Sequence, residues 1–297
     1  MVVYSIKDME NLSGVKAHTI RIWEKRYGII QPKRTETNIR YYTDEDLRQL
    51  LNVCLLYKNG LKISKIAQLS NEDIKEKINA ISGVTLSFED QLDALMLFIL
   101  DLDAYNFGKV LSQHIDQIGL ERTMDEVIYP LMDKISLAWL SGSFQGAHES
   151  FVTQIIKSKI QKEIEQLDEQ TDFNPKYLIY LTEGEKQELS LLYMHYLLKK
   201  NKCKVINLGN DITLIDVIAS IQTLQPKFVF SIFNEEINKN SFENYVNQIC
   251  KNLKYGKFIL TGYQPTVQNI SWPENTLILK TLKETIDFIQ TKNEVTT

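Results

Sequence analysis

Apolar residues recur with the period of an α-helix near the start of the chain. The first stripe consists of Ile6, Met9 and Leu12, and the second of Ile20, Trp23 and Tyr27. Ser5 and Asp8 have the spacing of a capping box, so a short helix is predicted to begin there, and Gly14 provides the turn that follows it. A second helix is predicted over residues 16–27, with its apolar face against the first.

The polar positions of this second helix fall on the face opposite its apolar stripe. At about 100° per residue, His18, Arg21 and Lys25 lie together there. A helix with one packed face and one face of long polar side chains is typical of a recognition helix, which reaches base edges and phosphates in the major groove.

A short hairpin, the wing, is predicted over residues 33–42. Pro32 stops the preceding helix, and residues that favour β-structure flank the turn at residues 36–38, where Asn38 tolerates a left-handed backbone. Lys33, Arg34 and Arg40 give the wing three cations that can meet phosphates. Thr43 and Asp46 form a second capping box, which opens a helix with Leu47, Leu50, Leu51 and Cys54 facing inward.

Beyond a polar connection at residues 71–88, which is helical at its start, four longer helical stripes indicate a four-helix bundle. The stripes are Leu92, Leu95, Met96 and Ile99; Ala104, Phe107, Val110 and Leu111; Met124, Val127, Ile128, Leu131 and Ile135; and Phe151, Ile155, Ile160 and Ile164.

From Pro175 the pattern changes to short β-branched runs that alternate with helices. The predicted strands are Tyr177–Leu181, Lys204–Leu208, Phe228–Ile232, Phe258–Leu260 and Leu277–Leu279, and the predicted helices cover residues 186–200, 214–224, 240–253 and 281–291. This alternation indicates a parallel sheet with helices on both faces, in which ligands bind at the carboxyl ends of the strands.

Charge separates the front of the chain from the rest. Residues 1–70 hold 12 Lys and Arg against 7 Asp and Glu, a net charge of +5, so the remainder carries −9 to give the total of −4. A basic head on an acidic body is the electrostatic pattern of a small DNA-binding module. Three separated cysteines without a CxxC pair argue against disulfides and a zinc site. Without a signal-peptide or membrane-spanning pattern, we expect a cytoplasmic protein.

The order helix, turn, helix, wing, helix, with Thr19–Gly28 reading TIRIWEKRYG, closely resembles the MerR family of bacterial transcription regulators. The resemblance covers about the first quarter of the chain and implies a dimer or higher homo-oligomer on double-stranded operator DNA. It departs from the family at Asn38, where Gly is common. The residues expected to bind DNA are Lys16, His18, Thr19, Arg21, Lys25, Lys33, Arg34, Arg40 and Tyr41.

With its bundle and α/β region included, nearly the whole chain resembles the CarH and LitR class of light-responsive regulators, which use adenosylcobalamin. That class caps the upper face of cobalamin with a Trp, nine residues, then Glu-His. Here Trp139 and Glu149 keep the spacing, but Ser150 replaces the His. After the first strand, Glu185, Gln187 and Ser190 stand where Asp-x-His-x-x-Gly is typical. A Gln amide oxygen does not replace the imidazole that fixes cobalt from below.

Two interpretations of this region remain open. On the first, a retained pocket for a corrinoid or another ligand is lined by Trp139, Glu149, Gly184, Gln187, Ser231 and Gly262. On the second, which the loss of both histidines favours, no cofactor is bound and the fold persists as an interaction platform. No metal site and no catalytic residues are predicted, so we do not expect an enzyme.

The sequence thus predicts a multidomain α + α/β protein. A winged helix-turn-helix head occupies residues 1–75, a cobalamin-cap-like four-helix bundle residues 76–170, and a Rossmann-like (flavodoxin-like) α/β domain residues 175–297. The predicted function is transcription regulation with the body as sensor or oligomerisation platform. The alternatives are a cobalamin-dependent light-sensing repressor, a corrinoid methyl carrier of an enzyme system, and a regulator whose body docks a protein antagonist.

Overall fold

The computed structural model describes residues 3–35, 37–81, 88–140, 146–167 and 176–294. The chain divides into two compact units, Met1–Lys159 and Ile160–Thr297. The predicted boundary between head and bundle near residue 75 falls inside the first unit, and the division into three domains stays a prediction.

The head at the start of the first unit has the predicted helix, turn, helix, wing and helix, then a four-residue helix that was not predicted, and then the predicted helix at the start of the polar connection. The elements are α1 (Ile6–Ser13), α2 (Ala17–Tyr27), β1 (Lys33–Arg34), β2 (Arg40–Tyr41), α3 (Asp44–Lys58), α4 (Ile63–Ile66) and α5 (Asn71–Ile81). Both capping boxes are confirmed: Ser5 and Asp8 exchange hydrogen bonds at the start of α1, as Thr43 and Asp46 do at α3. Gly14 ends α1 with a φ of 70°, so the predicted turn is confirmed too.

The wing is a two-stranded antiparallel hairpin in which Lys33 pairs with Tyr41 and Arg34 with Arg40. Asn38 adopts the left-handed backbone predicted for it, with a φ of 65°, while residue 36 of the turn lies outside the described residues. Tyr4 and Tyr42 extend the hairpin, because each donates its backbone N–H to the other's carbonyl oxygen, at 2.8 and 2.9 Å.

The second part of the first unit contains the bundle helices, the last of which continues past Lys159 into the second unit. They are α6 (Phe88–Leu100), α7 (Ala104–Ile118), α8 (Leu120–Thr123), a π-helical turn (Met124–Ile128), α9 (Tyr129–Leu140) and α10 (Gly146–Glu165). The stripes on α6 and on the segment from α8 to α9 are buried as predicted, and that on α7 is buried except for Ala104. On α10 the buried residues start at Val152 and Ile156, so Phe151 and Ile155 lie at the margin, half-buried.

A buried carboxylate joins α3 to the bundle. Asp93 on α6 is 1% exposed, and its oxygens lie 2.8 Å from Nζ of Lys58 on α3 and 3.2 Å from Nζ of Lys134 on α9. A buried charge costs several kcal/mol unless it is paired, so these two ammonium groups are what allows Asp93 to remain in the core.

The second unit is built on a five-stranded parallel sheet. Its elements are β3 (Lys176–Tyr180), α11 (Glu188–Lys200), β4 (Lys204–Asn207), α12 (Leu214–Leu224), β5 (Phe228–Ile232), α13 (Lys239–Asn252), β6 (Lys257–Thr261), α14 (Gln264–Val267), β7 (Thr276–Leu279) and α15 (Leu282–Glu294). The strand order is β4-β3-β5-β6-β7, which confirms the five predicted strands and the predicted fold class. The order reverses beside β3, so the loop after β3 is at a topological switch point.

Sequence analysis missed α14, which has four residues and is too short to show a periodic pattern. The three cysteines, Cys54, Cys203 and Cys250, are all free and buried. Among the helices in the described ranges, none combines the length and the apolar character needed to cross a membrane.

Candidate DNA-binding surface and ligand edge

Glu10 on α1 fixes the start of α2. One of its carboxylate oxygens accepts the backbone N–H of Ala17 at 3.2 Å, and the other accepts Nζ of Lys16 at 3.2 Å. These two interactions hold the pKa of the Glu10 carboxyl below its ordinary value. Glu10 therefore supplies the cap that Lys16, the N-cap residue, does not make with its own side chain. Sequence analysis did not single out Glu10, because this cap comes from a neighbouring helix.

The outer face of α2 carries the predicted polar side chains. Ile20 and Trp23 are buried, whereas His18, Arg21 and Lys25 are exposed. Lys16 is also exposed, and Thr19 is half-buried. Two further residues on this helix reach solvent: Ile22, at 41% exposure, and Arg26, whose guanidinium lies 5.5 Å from the ring centroid of Tyr27. An exposed isoleucine beside cations can contact a thymine methyl group.

The three cations of the wing differ in their exposure and in their hydrogen-bond partners. Lys33 and Arg34 are exposed, but Arg34 donates to Oδ1 of Asn38 at 2.7 Å and so also braces the turn. Arg40 is half-buried and donates through Nε and Nη2 to one oxygen of Glu24 on α2, at 3.4 Å each. Tyr41 is half-buried as well. Arg40 thus ties the wing to α2, and its predicted contact with DNA remains a prediction.

The exposed cations of α2 and the wing are available to an anion. In the described part of the chain, no carboxylate oxygen lies within 4 Å of the charged groups of Arg21, Lys25 or Lys33. Together with His18 and Arg34 they form what we call the reading surface. Its positive charge and its helical geometry suit the major groove and its flanking phosphates.

Hydrogen bonds connect the loops at the carboxyl edge of the parallel sheet, where ligands bind in this kind of fold. Glu185, in the loop after β3, is buried, and its carboxylate accepts the backbone N–H groups of Asn234 and Glu235 at 3.1 to 3.4 Å. Burial raises the pKa of Glu185, and these two hydrogen bonds oppose that rise. Gly184, with a φ of 85°, donates its N–H to Asp211 at 3.3 Å.

Gln187 stands at the position of the cobalt-binding histidine in the family resemblance. It is the N-cap residue of α11, and its side-chain oxygen accepts the backbone N–H of Lys186 at 3.1 Å. The amide is therefore engaged with its own loop. His195, further along α11, is half-buried with Nδ1 3.5 Å from Nδ2 of Asn207, and burial lowers its pKa. This matches a packing histidine.

The loops after β5 and β6 are also tied together. Ser231 is buried and donates its hydroxyl to the carbonyl oxygen of Tyr180 at 2.9 Å. Oδ1 of Asn234 accepts the backbone N–H of Tyr263 at 2.7 Å, next to Gly262. At Gly262, with a φ of 107°, a Cβ atom would lie 2.5 Å from the carbonyl oxygen of Phe233. Only glycine fits this approach.

The two predicted bundle residues lie in the first unit. Trp139 belongs to the last turn of α9, but its side chain lies outside the described residues. Glu149 is exposed in the first turn of α10, and so is Ser150.

These side chains do not fit a histidine-ligated cobalamin. The loop after β3 offers an amide oxygen already hydrogen-bonded to its own backbone, where a strong nitrogen donor is needed. Within the described ranges, no three His, Cys, Asp or Glu side chains group as metal ligands. The loops at the carboxyl edge of the second unit are thus held together by hydrogen bonds within the chain, made by Glu185, Asn234 and the neighbouring backbone.

Comparison with known proteins finds a family match for the head and relatives that cover most of the chain. Residues 4–73 match the MerR HTH family regulatory protein model. The HTH-type transcriptional repressor CarH of Myxococcus xanthus is 24% identical over 265 residues, which cover 87% of this chain and 88% of CarH. The repressor CarA of the same organism is 24% identical over 209 residues, covering 69% of this chain and 68% of CarA.

Among solved structures, the monomethylamine corrinoid protein of Methanosarcina barkeri superposes with a TM-score of 0.52 at 10% identity, covering 69% of this chain and 100% of that protein. At this identity the likeness shows the fold. Residues 4–73 therefore form a MerR-type HTH head, and the chain as a whole is similar to the MerR-type repressors CarH and CarA, with a cobalamin-binding-like fold behind that head.

Proposed function

We propose that this protein regulates transcription by binding a two-fold DNA site as a dimer, in the nucleoid of a bacterial cytoplasm. The observation that carries the proposal is the reading surface. Its Arg21, Lys25 and Lys33 are exposed and have no carboxylate partner among the residues that the structure describes, and hydrogen bonds of Glu10 and Glu24 hold α2 and the wing in place. Because these cations cluster on α2 and the wing, a bound duplex would meet base-reading and phosphate-binding side chains together.

We further propose that the cobalamin-binding-like region acts as a sensor or oligomerisation platform without light-labile cobalamin. Support comes from Gln187 and Ser150, which replace both histidines, and from the hydrogen bonds that Glu185 and Asn234 make across the carboxyl edge. A protein antagonist is a partner that such a platform could accept. The second candidate is a working cobalamin-dependent repressor, which the similarity to CarH over 87% of the chain favours. A corrinoid methyl carrier is disfavoured by the DNA-binding head and by the missing lower ligand.

Replacing Arg21 with Ala should weaken binding to a specific duplex by about fivefold or more, because a good base contact contributes about 1–3 kcal/mol. The duplex is obtained by selecting from a randomised library with the wild-type protein, and affinity is measured by fluorescence anisotropy at fixed salt. Arg122→Ala is the control, since Arg122 is exposed on α8 and pairs with Glu126. Equal affinities of Arg21→Ala and wild type would remove Arg21 from the reading surface.

A second experiment tests the cobalamin-binding-like region. The wild-type chain, expressed in the dark with adenosylcobalamin, should purify without corrinoid absorption bands, because Gln187 does not supply an axial nitrogen. The matched variant is Gln187→His, which restores the ligand type and should raise corrinoid retention. Stoichiometric corrinoid in the wild type would contradict this proposal and favour the second candidate. DNA binding by the same protein sample tests the head separately.

A further inference from the structure

The amino edge of the parallel sheet, opposite the ligand edge of the fold, carries a row of lysines. Backbone pairing aligns them: Lys176 is in register with Lys204, the N–H of Lys227 donates to the carbonyl oxygen of Lys176, and the N–H of Lys257 donates to that of Lys227, both at 3.0 Å. Since neighbouring strands are about 4.8 Å apart, the row is about 14 Å long.

Charge on this unit is divided between the two edges. Acidic residues outnumber lysines in the loops and helix starts at the carboxyl edge: Glu183, Glu185, Glu188, Asp211, Asp216, Glu235, Glu236 and Glu284 stand against Lys186, Lys239, Lys280 and Lys283. The amino edge adds Lys251 and Lys254 to the row, with Glu274 before β7 at its far end. The acidic total of the body therefore conceals a positive edge, which attracts a polyanion in one orientation.

A cavity of about 520 Å³ opens beside the row, between the end of α12 and the turn that follows α13. Its lining includes Lys227, Lys254, Gln222, Gln225 and Tyr255. Tyr255 is 96% exposed, so its ring and hydroxyl project into solvent. Gln225 adopts a left-handed backbone, with a φ of 45°. Amide, hydroxyl and ammonium donors together are the set that contacts nucleic-acid phosphates.

Three lysines at this edge present their ammonium groups to solvent. Lys254 and Lys257 are exposed, and over the ranges that the structure describes neither has a carboxylate oxygen within 4 Å. Lys227 is exposed too, with Nζ 5.8 Å from the ring centroid of Phe228. Exposed cations that are close together create a positive potential, which attracts a polyanion.

We propose that this amino edge is a second contact with the DNA backbone, used when the head is already bound. The inference rests on the proposed DNA binding by the head. The exposed ammonium groups of Lys227, Lys254 and Lys257 along this edge fit an extended polyanion better than a single small anion, since successive phosphates can each meet one of them. Nζ of Lys176 is engaged within the fold, because it donates to the carbonyl oxygen of Leu224 at 2.9 Å. Tethering through the head raises the effective concentration of the duplex near the body, so weak backbone contacts become occupied.

The test uses the full chain and a fluorescein-labelled 60-base-pair duplex of random sequence, with affinity measured from low to moderate salt. Lys254→Gln/Lys257→Gln should flatten the slope of log affinity against log salt by about 1.8, which is 0.9 for each lost phosphate contact. The control, Lys239→Gln/Lys283→Gln, removes two exposed lysines that follow carboxyl ends of strands, and should leave the slope unchanged.

Lys33→Gln in the head provides the reference, with an expected change of about 0.9. If Lys33→Gln lowers the slope and the edge variant matches its control, the amino edge is not a DNA contact and only this inference fails. If the wild type does not bind the duplex at all, the proposed function fails with it. A shift in oligomeric state of the edge variant without DNA, seen by sedimentation velocity, would assign the edge to self-association and overturn the proposal.

Discussion

Replacing Asp93 with Asn should lower the free energy of unfolding of the first unit by about 3 kcal/mol, since breaking a buried ion pair by removing one partner costs about 3–5 kcal/mol and both lysines here keep some solvent. Asp93 is 1% exposed, and Lys58 and Lys134 lie on either side of its carboxylate. Without it, two ammonium groups face each other across a core that joins α3 to α6 and α9. We expect the head to loosen with the bundle, because Lys58 belongs to α3.

Urea unfolding followed by tryptophan fluorescence measures this loss. Trp272 is the one tryptophan of the second unit, so a Trp272→Phe background confines the signal to Trp23 and Trp139. Asp116→Asn is the control, because Asp116 is exposed on α7 and its replacement should change stability by less than about 0.5 kcal/mol. The triple variant Asp93→Leu/Lys58→Met/Lys134→Met, which replaces the whole charged cluster with apolar side chains, should recover part of the lost stability. Equal stability of the two asparagine variants would show that the cluster contributes nothing.

The second large effect is expected at Gly262 in the other unit. Gly262→Ala places a Cβ atom 2.5 Å from the carbonyl oxygen of Phe233 and 2.7 Å from Oδ1 of Asn234, at a φ of 107° that side chains rarely adopt. Backbone strain and overpacking each cost about 1–3 kcal/mol, so a loss of about 3 kcal/mol is expected. The loops after β5 and β6 must then separate, and the hydrogen bond from Tyr263 to Asn234 is lost.

Hydrogen exchange read by mass spectrometry resolves this effect, because peptides from β5 and β6 report on the second unit alone. A loss of about 3 kcal/mol speeds exchange of their slowest amides about 100-fold. Gly209→Ala is the matched control: its φ is 87°, but a Cβ atom there meets nothing within 4 Å, so it tests backbone strain without the close approach. Similar acceleration in both variants would mean that the Phe233 contact is unimportant.

The features that sequence analysis predicted are those set by neighbouring residues. Capping boxes at Ser5 and Thr43, the left-handed Asn38 and the five strands depend on spacings of a few residues, so their signals are local. At the start of the fourth bundle stripe, Phe151 and Ile155 were predicted to be buried, but the buried residues are their neighbours Val152 and Ile156. Neighbouring residues on a helix are 100° apart, and both pairs are apolar, so the pattern alone does not distinguish the two faces.

The features that it missed are long-range pairings of polar groups. Glu10 caps the next helix, and Glu24 binds Arg40 of the wing. Asp93 pairs with Lys58 and Lys134, which are 35 and 41 residues away in the sequence, and Glu185 accepts the backbone N–H of Asn234. A charged residue that folds inward has no distinctive pattern in the sequence, since its burial depends on partners brought near by the fold. In the candidate DNA-binding surface, the exposed polar residues of α2 could be predicted from the helical period. The hydrogen bonds by which Arg40 connects the wing to Glu24 on α2 could not.

The buried cysteines have a practical consequence for labelling the protein. Burial and the nearby Asp93 carboxylate raise the pKa of Cys54 to about 12, burial raises that of Cys250, and Cys203 is equally enclosed. The thiolate is the nucleophile that adds to a maleimide, and burial shields all three thiols from the reagent. A single cysteine introduced by Tyr255→Cys should therefore take a fluorophore selectively in the otherwise natural chain, which would give a spectroscopic probe at the amino edge without removing any native thiol.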